Sequence, residues 1–153
     1  MIKVIDISNE EKINDILSVQ LLSYKVEAEI IDYFDLPPLK DTIETLKNCG
    51  EIFIGYYEKS ELCGVISLKV DQNIVDIHRL IVHPNHFKKG IAQLLYNYVI
   101  REFAANQIKV ATGSKNKPAI NFYLKNGFEI TNEVVVNEKL SLTFFEKNTI
   151  RGS

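Results

Sequence analysis

The residues best suited to chemistry lie between positions 76 and 93. The run Val75-Asp76-Ile77-His78-Arg79-Leu80-Ile81-Val82 alternates in the manner of a strand, which puts Asp76 and His78 on one face. Two residues along a strand span about 6.6 Å, so His78 stands nearer than Asp76 to the end of the run. An imidazole titrates near neutrality, and either group can accept a proton from a nucleophile. Each is equally at home as a sheet-surface residue held by a hydrogen bond, and solvent or an ordered water is a third candidate base. After His83-Pro84 the chain carries Lys88, Lys89 and Gly90 and then enters an amphipathic stretch. Free amides and the dipole at a helix start favour an anion, and a glycine there lets a phosphate approach the backbone. The same residues also fit a plain basic loop with a glycine at the helix start.

Other chemistries are excluded more easily. No G-x-x-x-x-G-K-[ST] is present, and no G-x-G-x-x-G follows the first strand. His78, His83 and His86 fall close together, but their spacing fits no zinc pattern, and no metal is expected. Cys49 and Cys63 are the only cysteines and read as reduced thiols, which with the absence of an export signal points to the cytoplasm. The 18 basic and 20 acidic residues leave a net charge of −2, with no footprint for nucleic acid. No apolar run approaches a membrane span. Arg151-Gly152-Ser153 reads as a cloning remnant, leaving one domain over residues 1–150.

The elements that must position these groups follow from periodicity. A strand is expected over residues 2–7, helices over 10–24 and 26–34, a break at Pro37-Pro38, and a further helix over 39–48 ending near Gly50. Strands over 51–57, 62–70 and 74–82 are joined by short polar turns, which implies an antiparallel meander. Residues 89–104 place Ile91, Leu94, Leu95, Tyr98, Val99 and Phe103 on one helical face. A strand over 107–113 follows. Then comes a helix capped by Asn116, with Pro118 in its first turn and Gly127 at its end. Strands over 128–136 and 139–146 turn at Asn137-Glu138. The result is an α/β fold of the α+β type, with a mixed, mostly antiparallel sheet. Function is expected at the C-terminal end of the strand that feeds the long helix.

Two motifs carry a resemblance. Val82-His83-Pro84 followed by Phe87-Lys88-Lys89-Gly90-Ile91-Ala92 resembles the coenzyme A-binding signature [Arg/Gln]-x-x-Gly-x-[Gly/Ala] of the GNAT superfamily of N-acyltransferases. Asn116-Lys117-Pro118-Ala119-Ile120-Asn121-Phe122-Tyr123, then Asn126-Gly127-Phe128, is similar to that family's Asn-x-x-Ala-x-x-Phe-Tyr…Gly-Phe. The resemblance implies helices on both faces of the sheet and a splay between the fourth and fifth strands. It implies acetyl-CoA as co-substrate, its pyrophosphate on the amides of Lys88, Lys89, Gly90, Ile91, Ala92 and Gln93. The pantetheine arm would pair with Ile81 and Val82, the amide of Leu80 or Ile81 would face the acetyl oxygen, and Asn116 would bond the arm. Tyr123 would protonate the departing sulfur, although alone it also reads as an ordinary core aromatic. Phe87 stands where the family has Arg or Gln, which removes a side-chain contact to phosphate but leaves the backbone amides.

By the same resemblance, residues 23–39 border the acceptor pocket. Tyr24, Glu27 and Tyr33 are the substrate-binding candidates, and Glu29, Asp32 and Asp35 add carboxylates. Carboxylates with aromatics suit a cationic amine, and also a solvated acidic helix face. The implied activity is transfer of an acetyl group to an amine of a small molecule or peptide by direct attack on the thioester. A non-catalytic coenzyme A-binding module and a small interaction domain are the alternatives. Family members often dimerise through the terminal strands, and Leu140, Leu142, Phe144 and Phe145 suit a homodimer.

Overall fold

Short polar turns separate apolar runs of strand length, and the chain meanders as those turns dictate. In the computed structural model, which describes residues 1–149, one seven-stranded sheet has the order β1-β2-β3-β4-β5-β7-β6. The strands are β1 (Ile2–Val4), β2 (Ile52–Glu58), β3 (Glu61–Asp71), β4 (Ile74–Val82), β5 (Gln107–Gly113), β6 (Glu129–Val135) and β7 (Ser141–Asn148). The helices are α1 (Glu10–Ile31), α2 (Ile43–Lys47), α3 (Ile91–Glu102) and α4 (Lys117–Lys125). Only β4 and β5 pair in parallel; the other strand pairs are antiparallel. The expected cloning remnant lies outside the described residues.

Several boundaries differ from expectation. The helices expected over 10–24 and 26–34 are one, α1, because no glycine or proline interrupts that stretch. Asn9 caps its start, and Asp32, left-handed at φ 55°, closes its end. The helix expected over 39–48 is a 3-10 turn, Pro37–Lys40, followed by α2, because Thr42 caps a new start. In α3, Ile91, Leu95 and Val99 are buried with Tyr96, while Leu94 faces solvent. The burial stripe therefore runs at steps of four, rotated away from Leu94. Leu140 and Phe145 are buried within the chain, so they are not free to form a dimer face.

Helices cover both faces of the sheet. Beneath α3 and α4, Ile66, Leu68, Val75, Ile77, Leu95 and Phe145 belong to one core. Beneath α1 and α2, Ile13, Ile16, Leu46, Phe53, Val65 and Ile81 belong to the other. Strand β4 changes allegiance partway. Ser67 pairs with Arg79 but Leu68 pairs with Ile77, so His78 is the extra residue of a bulge. Before it, Val75 and Ile77 point into the α3–α4 core; after it, Leu80 and Val82 do so while Ile81 joins the other.

The parallel ladder is short. It runs from Ile74 opposite Gln107 to Ile77 opposite Val110 and then ends, although both strands continue. Beyond that point β4 stays paired to β3 as far as Val82, and β5 to β7 as far as Gly113. Their facing edges part and leave backbone donors and acceptors unpaired by the sheet, which is the expected splay. Gly64 on β3 brings α3 close to this opening. A Cβ there would lie 2.7 Å from Ile91 Cγ2 and 3.2 Å from the Ile81 carbonyl, so only glycine admits the first turn of α3.

Candidate active site

The parted strands open into a cleft of about 930 Å³ that runs from the start of α3, past Leu80, Ile81 and Val82, to the inner side of α1. Its first end is made of backbone. Lys88 and Gly90 are left-handed, at φ 64° and 78°, and Gly90 occupies the N-cap position without offering a side-chain cap. Nothing lies within 4 Å of the place a Gly90 Cβ would take. The amides of the first turn of α3 thus face open space at the positive end of a helix dipole. Lys88, Gly90, Ile91, Ala92 and Gln93 line the cleft, as does the half-exposed Phe87. The Gln93 side chain is occupied by Asn97 and by a reciprocal pair of bonds with Asn126, which tie α3 to α4.

Lys89 points elsewhere. Its ammonium lies 3.0 Å from His86 Nδ1 and 3.6 Å from Glu58 Oε2. A carboxylate oxygen of Glu58, the Cys63 sulfur and a ring nitrogen of His86 fall within 4.8 Å of one another, and Lys89 supplies positive charge there. That cluster closes on itself as an ion-pair network at the tip of the β2–β3 hairpin.

The middle of the cleft is where α4 meets α1. Asn116 Oδ1 accepts from the Ala119 amide at 3.3 Å and so caps α4. Its Nδ2 donates to Glu27 Oε1 at 2.6 Å and to Thr112 Oγ1 at 3.5 Å. Burial raises the Glu27 pKa above that of an ordinary glutamate, against the opposing effect of the Asn116 bond. Tyr123 is 5% exposed, packed at 5.4 Å centroid separation against Phe122, Phe128 and Phe145. Burial drives its pKa far above that of a free phenol, with the charge of Glu27 and then Tyr96 adding to the shift. Tyr24 lines the same wall and is raised likewise, by burial first and Glu27 second.

The far wall holds a network that no motif announced. Arg79 donates through Nη1 to Glu51 Oε1 and through Nη2 to Asp41 Oδ2, the latter at 3.1 Å. Ser67 Oγ donates to Glu51 Oε1 at 2.7 Å, and Gln20 Nε2 to Asp41 Oδ2 at 2.6 Å. Burial alone would raise the Glu51 pKa; hydrogen bonds from Ser67 and Arg79 outweigh it and hold the carboxyl below the usual range. The available signal was Arg79 itself, a charge inside a hydrophobic strand, which demands a buried partner.

The structure separates the two base candidates. His78 lines the cleft, with Nδ1 3.7 Å from Glu51 Oε2 and Nε2 3.6 Å from Asp76 Oδ2. Asp76 lies outside the cleft, in a shallow depression with Lys109, Thr131 and Glu146. Of the acceptor candidates, Glu27 and Tyr24 line the cleft. Tyr33 does not: it packs with the Ala28, Ile31 and Leu140 cluster, and its hydroxyl accepts from Asn137 at 3.1 Å. Among the described residues no helix is long and apolar enough to cross a membrane.

Comparison with known proteins agrees with this architecture. Residues 13–128 match the family described as Acetyltransferase (GNAT) family. The chain is 36% identical over 132 residues to UPF0157 protein YqkA of Bacillus subtilis (strain 168), covering 86% of this chain and 38% of that protein. It is 25% identical over 95 residues to a Spermidine N(1)-acetyltransferase of Thermoplasma acidophilum, covering 60% of this chain and 59% of that one. The chain therefore spans less than two thirds of the length of either relative. An aminoglycoside 6'-N-acetyltransferase complexed with coenzyme A superposes with a TM-score of 0.78 at 18% identity, over 100% of this chain and 99% of that one.

Proposed function

The chain belongs to the acetyltransferase (GNAT) family, and from that premise we propose that it is an N-acetyltransferase. It would move the acetyl group of acetyl-CoA to an amine of a small molecule or peptide within one domain over residues 1–150. The observation that carries this reading is one continuous cleft. It joins the uncapped start of α3, the free edges of β4 and β5, and the Tyr123 side chain.

The proposed chemistry needs no covalent enzyme intermediate. Pyrophosphate rests on the amides from Lys88 to Gln93, with Lys88 adding charge and Lys89 acting only at a distance. The pantetheine arm runs along Ile81 and Val82 as an added strand, and Asn116 donates to it. The amine nitrogen attacks the thioester carbon to form the N–C bond, and the C–S bond breaks as the resulting tetrahedral intermediate collapses. The amide of Leu80 or Ile81 receives the oxyanion. The proton lost by the amine goes to His78 or to water, with Asp76 behind His78 as its partner. Tyr123 gives its proton to the leaving sulfur. Burial, with the charge of Glu27 next, holds the hydroxyl protonated, so the proton is in place before the C–S bond breaks.

The relative that is a Spermidine N(1)-acetyltransferase supports a polyamine-like acceptor. A cytoplasmic setting rests on the reduced thiols Cys49 and Cys63. A homodimer through the terminal strands is supported by β6, an edge strand exposed along its length with Ile130, Val134 and Val135 outward. Sedimentation would show it as a doubled mass.

The test is thiol release from acetyl-CoA across a panel of amines that includes spermidine and a free peptide N-terminus. Release that depends on one amine and collapses in Tyr123→Phe is expected. Coenzyme A binding with no release for any amine would make the protein a binding module instead.

A further inference from the structure

Glu27 and Asn116 lie 89 residues apart and meet across the cleft at 2.6 Å. The orientation of the Asn116 amide is set by its own helix. Oδ1 is committed to the Ala119 amide as the cap of α4, so Nδ2 is the end that faces the cleft. Glu27 comes from the middle of α1 and lines the same cleft beside Tyr24 and Tyr123. In this state the Asn116 amide, 3.5 Å from Thr112 Oγ1 of β5, is spent on a carboxylate.

Both groups have other work in the proposed reaction. A donor whose amide-bearing arm lies between β4 and β5 must pass Asn116, and its carbonyl competes with Glu27 for Nδ2. When the arm wins, Glu27 is left partly buried without its hydrogen bond, which is costly for a carboxylate. A protonated amine relieves that cost by supplying charge and donors together. Tyr24, alongside, offers an aromatic wall to the same cation.

We infer that the Asn116–Glu27 hydrogen bond is a latch coupling the two substrates: the acyl donor takes the Asn116 amide, and the carboxylate so released receives the ammonium group of the acceptor. The inference rests on the proposed coenzyme A site. It assigns Glu27 as the acceptor-binding residue and makes its availability depend on the donor. Because coupling between sites is reciprocal, each substrate tightens the binding of the other. The acceptor class that follows is a cationic primary amine.

The latch predicts that removing one side of a native hydrogen bond improves binding. In calorimetric titrations with coenzyme A, Glu27→Ala should bind about tenfold tighter than wild type, since Asn116 no longer has to be freed. Glu27→Gln, which preserves the shape and keeps a weaker neutral bond, should fall between the two. Asn116→Ala should bind more weakly, and adding Glu27→Ala to it should give no tightening. Unchanged or weaker affinity in both Glu27 variants, or tightening that persists without Asn116, overturns the latch while the proposed activity stands. No binding of coenzyme A to wild type overturns both. For the amine that supports thiol release, Glu27→Ala should raise KM at least tenfold; an unchanged KM removes Glu27 from the acceptor site.

Discussion

The two ends of the cleft are built by different means. The α3 end is backbone: two left-handed residues, an uncapped helix start and a loop contained within residues 83–93. The α1 end is side chains drawn from across the chain, with Glu27, Asp41, Glu51, Ser67, Arg79 and Asn116 each held by another of that group. The first needs only a local sequence and tolerates exchange of its exposed side chains. The second needs the finished fold and fails when one partner is lost.

The deepest break lies where the two ends meet. Tyr123→Phe should lower kcat by about 10²–10⁴-fold, the usual worth of a positioned general acid, and leave the affinity for coenzyme A nearly unchanged. Stopped assays of thiol release beside calorimetry separate the two quantities. An equal loss of affinity would make Tyr123 a packing residue of the cofactor end instead.

Within the side-chain end, Glu51→Ala leaves Arg79 with Asp41 as its remaining charged partner and should cost about 1–3 kcal/mol of stability, with little effect on phosphate binding. The pH dependence has a fixed sign. The Glu51 carboxyl is held below the usual value of 4.5, so its stabilising effect is complete above that pH and is lost as pH falls through the lower folded value. The gap in melting temperature between wild type and the variant should therefore be constant near neutrality and close in acid. A gap that widened in acid would contradict the pairing.

At the backbone end the sensitive point is steric. Gly64→Ala forces a methyl to within 2.7 Å of Ile91 and should cost about 1–3 kcal/mol. It should also weaken coenzyme A binding by displacing the first turn of α3, although residue 64 touches no ligand in the proposed site. Denaturant midpoints and titration would read both effects.

The smallest effect expected is a gain. Phe87 sits half-exposed on the cleft rim where a cation would reach phosphate. Phe87→Arg should tighten coenzyme A by a few-fold at low salt, with the gain fading as salt screens it. A gain independent of salt would mean that the Phe87 ring, not a missing charge, sets affinity.

What could be read in advance follows the same division. The meander, the long helix after Gly90, the α4 cap at Asn116 and the splay agree with expectation, since periodicity, turn residues and motif spacing are local signals. The joined α1 was missed because the expected break had no glycine or proline behind it. Asp76 and His78 were placed on one face correctly, but the cleft takes only His78. Lys88 and Lys89 looked equivalent in the sequence, yet the left-handed turn at Lys88 sends Lys89 toward Glu58.

By itself the sequence determined the family, the order of the elements and the glycine turn that opens α3, because each is signalled by residues near one another in the chain. The tertiary structure alone decided which side chains reach the cleft. The bulge at His78 shifts the parity of β4, so Ile81 joins the α1 core while Leu80 and Val82 join the other. The docking of α1 beside α4 brings Glu27 to Asn116 and leaves Tyr33 outside. Register and packing are properties of the whole sheet, and no window along the chain contains them.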